Sequence, residues 1–158
     1  MVVNLNTKVL GIDILAVDTV QQHALGCEIT HDDGNTYRYV RAGAAIALGD
    51  VLKVDVAEGP NDYDPQVAAD IPHAGCLPNA TGRAAVADNS FFWAGVRGSF
   101  SVKAAATVVA GTPAISTATA GTVDDTAATA ANALAMAAGV GAIFQTTTTA
   151  GFATVLFF

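Results

Sequence analysis

The stretch that decides the fold is residues 34–55, which read GNTYRYVRAGAAIALGDVLKVD. Asp33 precedes its first glycine, and an Asp-Gly pair is a strong turn signal because glycine takes a positive φ without a Cβ clash. The β-branched and aromatic residues at 36–40 then favour an extended, half-buried backbone. Small residues bend the chain, and a second turn at 48–50 leads into residues 51–54. The stretch predicts a strand, a bend, a turn and a second strand.

Two hairpins extend this pattern on either side. Residues 25–30 predict a short strand that turns through His31-Asp32-Asp33-Gly34 and pairs with residues 37–40. Near the other end, residues 142–147 and 152–158 predict two strands joined by a turn that contains glycine. The chain is therefore expected to be built from antiparallel neighbours.

The densest aromatic cluster lies at residues 91–93. Successive side chains of a strand point to opposite faces, so Phe91 and Trp93 are expected to share one face while Phe92 takes the other. Residues 99–103 alternate in the same way. We therefore expect an all-β (mainly β) fold: a barrel- or sandwich-like single domain with long loops and at most one or two short helices.

Some regions depart from this regular pattern. Residues 1–20 predict an N-terminal arm or the first strands, and residues 21–158 the β-rich domain. Within that domain, residues 57–82 are polar and contain proline, which predicts a long loop of the kind that often binds partners. Residues 125–138 combine helix-favouring Ala, Leu and Met with Thr, and predict a loop with a short helix.

The composition bounds the class of protein. A chain of 158 residues suits one domain and can bury roughly 70% of its unfolded surface, so neither disulfides nor metals are needed for folding. Charged residues make up only 13% and hydrophobic residues 52%. A surface so poor in charge is expected to be covered in part by other chains.

The charge excludes some partners. The net charge is −7, and the seven Lys and Arg residues are scattered. Duplex nucleic acid is therefore not expected as a partner, since neutralising phosphates requires a basic patch.

No signal peptide is expected, because residues 1–6 lack a basic region. A membrane span at 127–144 is not expected either, because that run consists mainly of Ala and Gly and contains Asn132.

Residues that could perform chemistry are few. The sequence has no GxSxG, HExxH, P-loop or GxGxxG motif after a strand, and no enzyme is expected. Cys27 and Cys76 lack CxxC spacing and are expected to be free thiols.

His31 with Asp32 and Asp33 could bind a metal, although a solvated turn is favoured. Three aspartates in the 57–82 loop could bind calcium but lack the EF-hand glycine and glutamate positions: Asp62, Asp64 and Asp70. No metal and no cofactor is predicted.

Several segments together resemble the head decoration, or cement, proteins of tailed bacteriophages. The resemblance covers most of the chain from residue 22 onward and is carried by Leu25-Gly26, residues 33–40 and 44–50, Phe92-Trp93, Val96-Arg97-Gly98, residues 110–113 and 118–121, Asp124-Asp125 and residues 141–158. Residues 1–20 and 57–82 do not clearly match.

This resemblance implies a small β-rich protein on the outside of an icosahedral shell, made in the host cytoplasm. Such a protein bridges neighbouring subunits of the major capsid protein, commonly as a homotrimer, and has no catalytic residues. On this basis the N-terminal segment or the 57–82 loop is expected to touch the capsid. Subunit or capsid contacts are expected from six apolar residues: Phe91, Trp93, Phe157, Phe158, Val2 and Leu5.

Two alternatives remain open at this stage. The long loop and Trp93 are compatible with a surface domain that binds carbohydrate or a receptor, and an exposed Trp93 would favour it. A hydrolase that uses Cys76 and His73 would require these two side chains within hydrogen-bond reach.

Overall fold

The computed structural model describes residues 8–9, 12–65, 74–125 and 141–158. These residues contain strands and connecting turns and no helix, so the prediction of an all-β fold is confirmed. The strands are β1 (Lys8–Val9), β2 (Ile12–Asp13), β3 (Val17–Asp18), β4 (Glu28–Thr30), β5 (Thr36–Ala42), β6 (Val51–Val54), β7 (Asp62–Pro65), β8 (Gly75–Cys76), β9 (Phe91–Val108), β10 (Ile115–Ser116), β11 (Val123–Asp124), β12 (Ala142–Phe144) and β13 (Thr148–Phe157).

The deciding stretch folds as its sequence predicts. β5 leads into a bend, where Ile46 forms an isolated bridge to Val86, and the chain turns at Gly49 before β6. The predicted hairpin is β4 paired antiparallel with β5, and the predicted terminal pair is β12 with β13. Local turn chemistry and strand propensity are sufficient to specify these pairs.

The long strand β9 organises the barrel-like sheet. Its first half pairs antiparallel with β5, with Tyr39 opposite Trp93, and also contacts β3 and β8. Its second half pairs antiparallel with β13, which in turn pairs with β12, and parallel with β11. β1 and β2 form a separate two-stranded sheet. Strands that are distant in sequence are thus joined through one central strand.

Two glycines bend β9 between its halves. A Cβ at Gly95 would lie 2.6 Å from Cζ of Phe100. In a straight strand, residues five apart are separated by about 16 Å, so this contact requires a sharp bend. Gly98 supplies that bend with φ +115°, which side chains with a Cβ rarely adopt. The two halves of β9 therefore lie in different parts of the sheet.

The core consists of two clusters on opposite faces of the first half of β9. One cluster contains Trp93 with Tyr37 and Tyr39, and the other contains Phe92 with Val40 and Leu52. The predicted division of the aromatic run is therefore confirmed: Phe91 packs against the same cluster as Trp93. Because β9 contributes to both clusters, the two cannot be separated without breaking its pairings.

The region predicted as a long loop at 57–82 contains two short strands, β7 and β8. The β7 sequence, Asp-Tyr-Asp-Pro, has low strand propensity, so the sequence pattern does not predict a strand there. Tyr63 is fully buried and places β7 between β5 and β6. Burial of one aromatic side chain thus overrides local propensity. Residues 66–73 lie outside the described residues.

Three other expectations concern segments outside the described residues, the two cysteines and membrane-spanning helices. Val2, Leu5 and all but the first residue of the segment 125–138, predicted as a loop with a short helix, lie outside the described residues. Both cysteines are free, as expected. Within the described part of the chain, no helix has the length and hydropathy required to cross a membrane.

Candidate functional site: an apolar sheet face

The outward face of β13 is mainly apolar. Along this strand Ala153, Val155 and Phe157 point into the core, so the alternate residues point outward. Among these outward residues, Phe152 is 45% exposed. Phe158, which continues the alternation just beyond the strand, is 62% exposed. Large apolar side chains are exposed here although the strand also supplies buried ones.

Neighbouring strands extend this surface. Leu156 lies opposite Ile143 of β12, and Ile143 forms an isolated bridge to Pro113. Paired residues point to the same side of a sheet, so these side chains form one row. We refer to this surface as the β13 face; its residues are Pro113, Ile143, Phe152, Leu156 and Phe158.

The β13 face is almost free of charge. The residues of β9 that pair with its outward positions include Ser99, opposite Leu156, and Ser101, opposite Thr154. The charged residue among these partners is Lys103, opposite Phe152. Its Nζ donates to Oδ1 of the buried Asp50 at 2.6 Å, which neutralises it locally. Little desolvation of charge would therefore accompany burial of this face.

Phe152 is held in place by a turn. A Cβ at Gly49 would lie 2.5 Å from Cε1 of Phe152, so the ring rests on the bare backbone of this glycine. Gly49 has φ +83°, and its carbonyl accepts a hydrogen bond from the backbone N–H of Lys103. The deciding stretch of the sequence therefore positions one of the most exposed aromatic rings.

The residues singled out from the sequence are found in different environments. Trp93 is 1% exposed, and its ring lies 5.1 Å from the Tyr39 ring. Phe157 is also buried, whereas Phe91 is half-buried. The fourth aromatic residue expected in a contact, Phe158, is the one that belongs to the β13 face. Residues 152–158 are apolar at nearly every position, so their pattern does not identify Phe152 and Leu156 as the outward residues.

Of the thiol and imidazole suggested for a hydrolase, the structure describes the thiol. Cys76 is fully buried, and burial raises the pKa of its thiol. A thiol with a raised pKa is a poor nucleophile at neutral pH. Burial also lowers the pKa of the neighbouring Arg83 to about 10, and its Nη2 donates to the Trp93 carbonyl. His73 lies outside the described residues.

Some of the polar groups suggested for metal binding are paired within the chain. Nδ1 of the buried His31 lies 2.6 Å from Oδ1 of Asp32, within the turn between β4 and β5. Asp62 pairs with Arg41. Across residues 8–9, 12–65, 74–125 and 141–158, no group of three or more His, Cys, Asp or Glu side chains could hold a metal ion. Asp70 lies outside these ranges.

Comparisons with known proteins give little beyond the fold itself. No protein-family model matches the sequence, and no curated protein matches it. Among solved structures, the fold is similar to the N base of the head fiber gp8.5 of bacteriophage phi29. The two share 12% sequence identity with a TM-score of 0.46, over 77% of this chain and 92% of that chain. A similarity this weak assigns no function to the chain.

Proposed function

We propose that this chain is a structural virion protein that binds the outer surface of a phage capsid and bridges neighbouring major capsid protein subunits as a homotrimer. The observation that carries the proposal is the β13 face, a mainly apolar and nearly uncharged surface of the sheet. The resemblance of the sequence to phage cement proteins supports the choice of partner. In this role the protein is not an enzyme and needs no cofactor.

The energetics favour a partner that covers this face. Fully burying a side chain such as Phe or Leu contributes about 1.5–3 kcal/mol before the costs of association are subtracted. One copy therefore binds weakly through a few such residues. Copies bound at symmetry-related positions add these contributions, and binding that exists only in the assembled shell stabilises the shell.

The charge distribution favours a basic or mixed capsid surface. Several cations are already paired within the chain: Arg38 with Glu28, Arg41 with Asp62 and Lys103 with Asp50. The fourteen Asp and Glu residues outnumber the seven Lys and Arg residues, so the unpaired excess is acidic. Such a surface accelerates encounter with a positive partner and repels nucleic acid.

The test is co-sedimentation with empty capsids of the phage that encodes the chain. The variant Phe158→Asp places a charge on the β13 face at a residue that is 62% exposed, so the fold should be retained. The matched control is Val56→Asp, at a residue that is 86% exposed outside that face. We expect Phe158→Asp to reduce capsid occupancy at least tenfold and Val56→Asp to leave it unchanged.

Two results would contradict the proposal. Absence of wild-type protein from the capsid pellet would exclude capsid binding. Equal losses in both variants would show that binding does not depend on the β13 face.

A further inference from the structure

An open cleft of about 340 Å³ lies where β9 begins, beside the turn between β6 and β7. Its apolar lining comes from Phe91, Leu25 and Pro60, and its polar lining includes Gln21 and Asn61. The volume lies within the range of about 300–1,000 Å³ that is typical of ligand pockets. The β13 face lies beyond the Gly98 bend of β9, so the cleft is a separate feature.

The polar side of the cleft is held rigidly. Nε of Arg41 lies 2.5 Å from Oδ1 of Asp62, and its Nη2 donates to Oδ2 at 2.9 Å. Such a two-point pair fixes both groups in one geometry. Glu58 also lines the cleft, with its carboxylate 3.6 Å from Nη2 of Arg41. The Arg41–Asp62 pair would therefore need little further ordering when a ligand binds.

The amide and aromatic side chains are also fixed. A Cβ at Gly26 would lie 2.9 Å from Oδ1 of Asn61, so this amide packs on the bare backbone of a glycine with φ +80°. The ring of Phe91 stacks against the Tyr39 ring with an interplanar angle of 15°. Gln21 donates from its Nε2 to the carbonyl of His23, which orients its amide. Both amides are thus held at the edge of an apolar surface.

The charge of the cleft selects against anions. Among the described residues that line it, the one guanidinium is that of Arg41, and it is matched by the two carboxylates of Asp62 and Glu58. A phosphate, sulfate or acidic sugar would therefore meet a net negative lining, with no free cation among these described residues. Neutral hydroxyl groups meet no such repulsion, because each can donate to a carboxylate and accept from an amide.

We propose that this cleft binds a neutral saccharide of one or two sugar rings. The apolar C–H face of a sugar would pack on Phe91, while its hydroxyl groups would hydrogen-bond with the amide of Gln21 and the carboxylate of Glu58. This activity goes beyond capsid binding, because a particle carrying the protein would also attach to neutral glycans. It uses Phe91 rather than the buried Trp93 as the aromatic contact.

The experiment measures binding of sugars to the full chain by isothermal titration calorimetry and saturation-transfer NMR. The probes are maltose, cellobiose, lactose and N,N′-diacetylchitobiose, with 3′-sialyllactose as the acidic counterpart of lactose. We expect at least one neutral sugar to bind with a Kd of about 1 mM or tighter, and sialyllactose to bind at least tenfold more weakly than any neutral sugar that binds.

Variants locate the site. Gln21→Ala removes an exposed amide of the cleft, whereas Gln22→Ala removes an exposed amide next to it that does not line the cleft. We expect Gln21→Ala to weaken binding about fivefold or more and Gln22→Ala to leave it unchanged. A Phe158→Asp chain should bind sugar normally, so loss of capsid binding and loss of sugar binding are separable.

Three outcomes would overturn the inference. If none of the four neutral sugars bound at a sugar concentration of about ten times the expected Kd, neutral saccharides would be excluded as the ligand class. Sialyllactose binding as tightly as lactose would contradict the charge argument. Equal effects of Gln21→Ala and Gln22→Ala would place the site elsewhere.

Discussion

Because Gly95 has no Cβ, the ring of Phe100 can pack directly against its backbone. The ring of Phe100 is 3% exposed and fills the space that a Cβ at residue 95 would occupy. The ring is enclosed by other core side chains, among them Tyr37 at 5.6 Å and Phe157 at 6.0 Å between ring centroids. It therefore has little room to move aside.

Replacing this glycine should destabilise the protein by overpacking. We expect Gly95→Ala to lower the free energy of unfolding by about 1–3 kcal/mol, measured by chemical denaturation. The control is Gly141→Ala, where the added Cβ meets its nearest atoms at an ordinary 3.6 Å, and which should be near neutral. Equal stabilities of the two variants would show that the Phe100 ring yields easily.

Asp64 carries an unfavourable charge. Burial raises the pKa of its carboxyl, and the Asp55 carboxylate raises it further. Its Oδ1 is buried without a hydrogen-bond partner. A raised pKa in the folded state means that the protonated form favours folding. This contribution is complete below the ordinary pKa of 3.8 and is lost as the pH rises through the raised value.

The variant Asp64→Asn tests the direction of this pH dependence. We expect it to unfold at a higher temperature than the wild type at pH 7, and the difference to disappear below pH 3.8. The control Asp88→Asn removes the same charge from an exposed turn and should change the melting temperature less. A variant that is less stable than the wild type at pH 7 would contradict the assignment.

At the scale of elements, the sequence predicts the strands that local chemistry specifies. The Asp33-Gly34 turn, the strand at 36–40 and the pairing of the last two strands carry local signals and form as predicted. Gly151, which was predicted to lie in the turn between the last two strands, lies within β13. The sequence does not reveal β7, whose pairing depends on where Tyr63 is buried. The bend in β9 also escapes prediction, because it depends on a contact between Gly95 and Phe100.

Tyr63 should therefore control β7. We expect Tyr63→Ala to cost about 3–5 kcal/mol and to increase amide hydrogen exchange in β6 and β7 before the rest of the sheet. Tyr63→Phe keeps the buried ring and removes the hydroxyl that accepts from Nη1 of Arg38 at 3.1 Å. This milder variant should cost about 1 kcal/mol and leave the exchange pattern intact. If Tyr63→Phe opened β7 as much as Tyr63→Ala, burial of the ring would not be the cause.

The candidate contact surface was only partly predictable. The composition indicated a surface covered by other chains, and Phe158 was expected in a contact. The sequence could not show that Phe157 points inward while Phe152 remains exposed, because that depends on which face of β13 meets the core. The cleft beside Phe91 was equally hidden, since it joins residues 21–25, 58–62 and 91 through the sheet.

At the scale of the whole molecule, acidic charge and the apolar β13 face should act on different steps of capsid binding. Salt screens the attraction between separated charges, so raising the salt from about 0.1 M to 1 M should slow association. Dissociation should change little, because the buried contact is apolar. Surface plasmon resonance on immobilised capsids measures both rates. A dissociation rate that rises steeply with salt would indicate a contact made by ion pairs.

The position of β9 in the sheet has a consequence for how the protein is made. β5 and β8 leave the ribosome before β9, but β13 leaves it last among the described strands. The nascent polypeptide therefore cannot close its sheet until β13 has been synthesised. Contacts between such distant segments form slowly, over milliseconds to seconds in comparable all-β domains. Until then the unpaired edge of β9 and its apolar side chains are exposed, and such exposed surfaces favour aggregation.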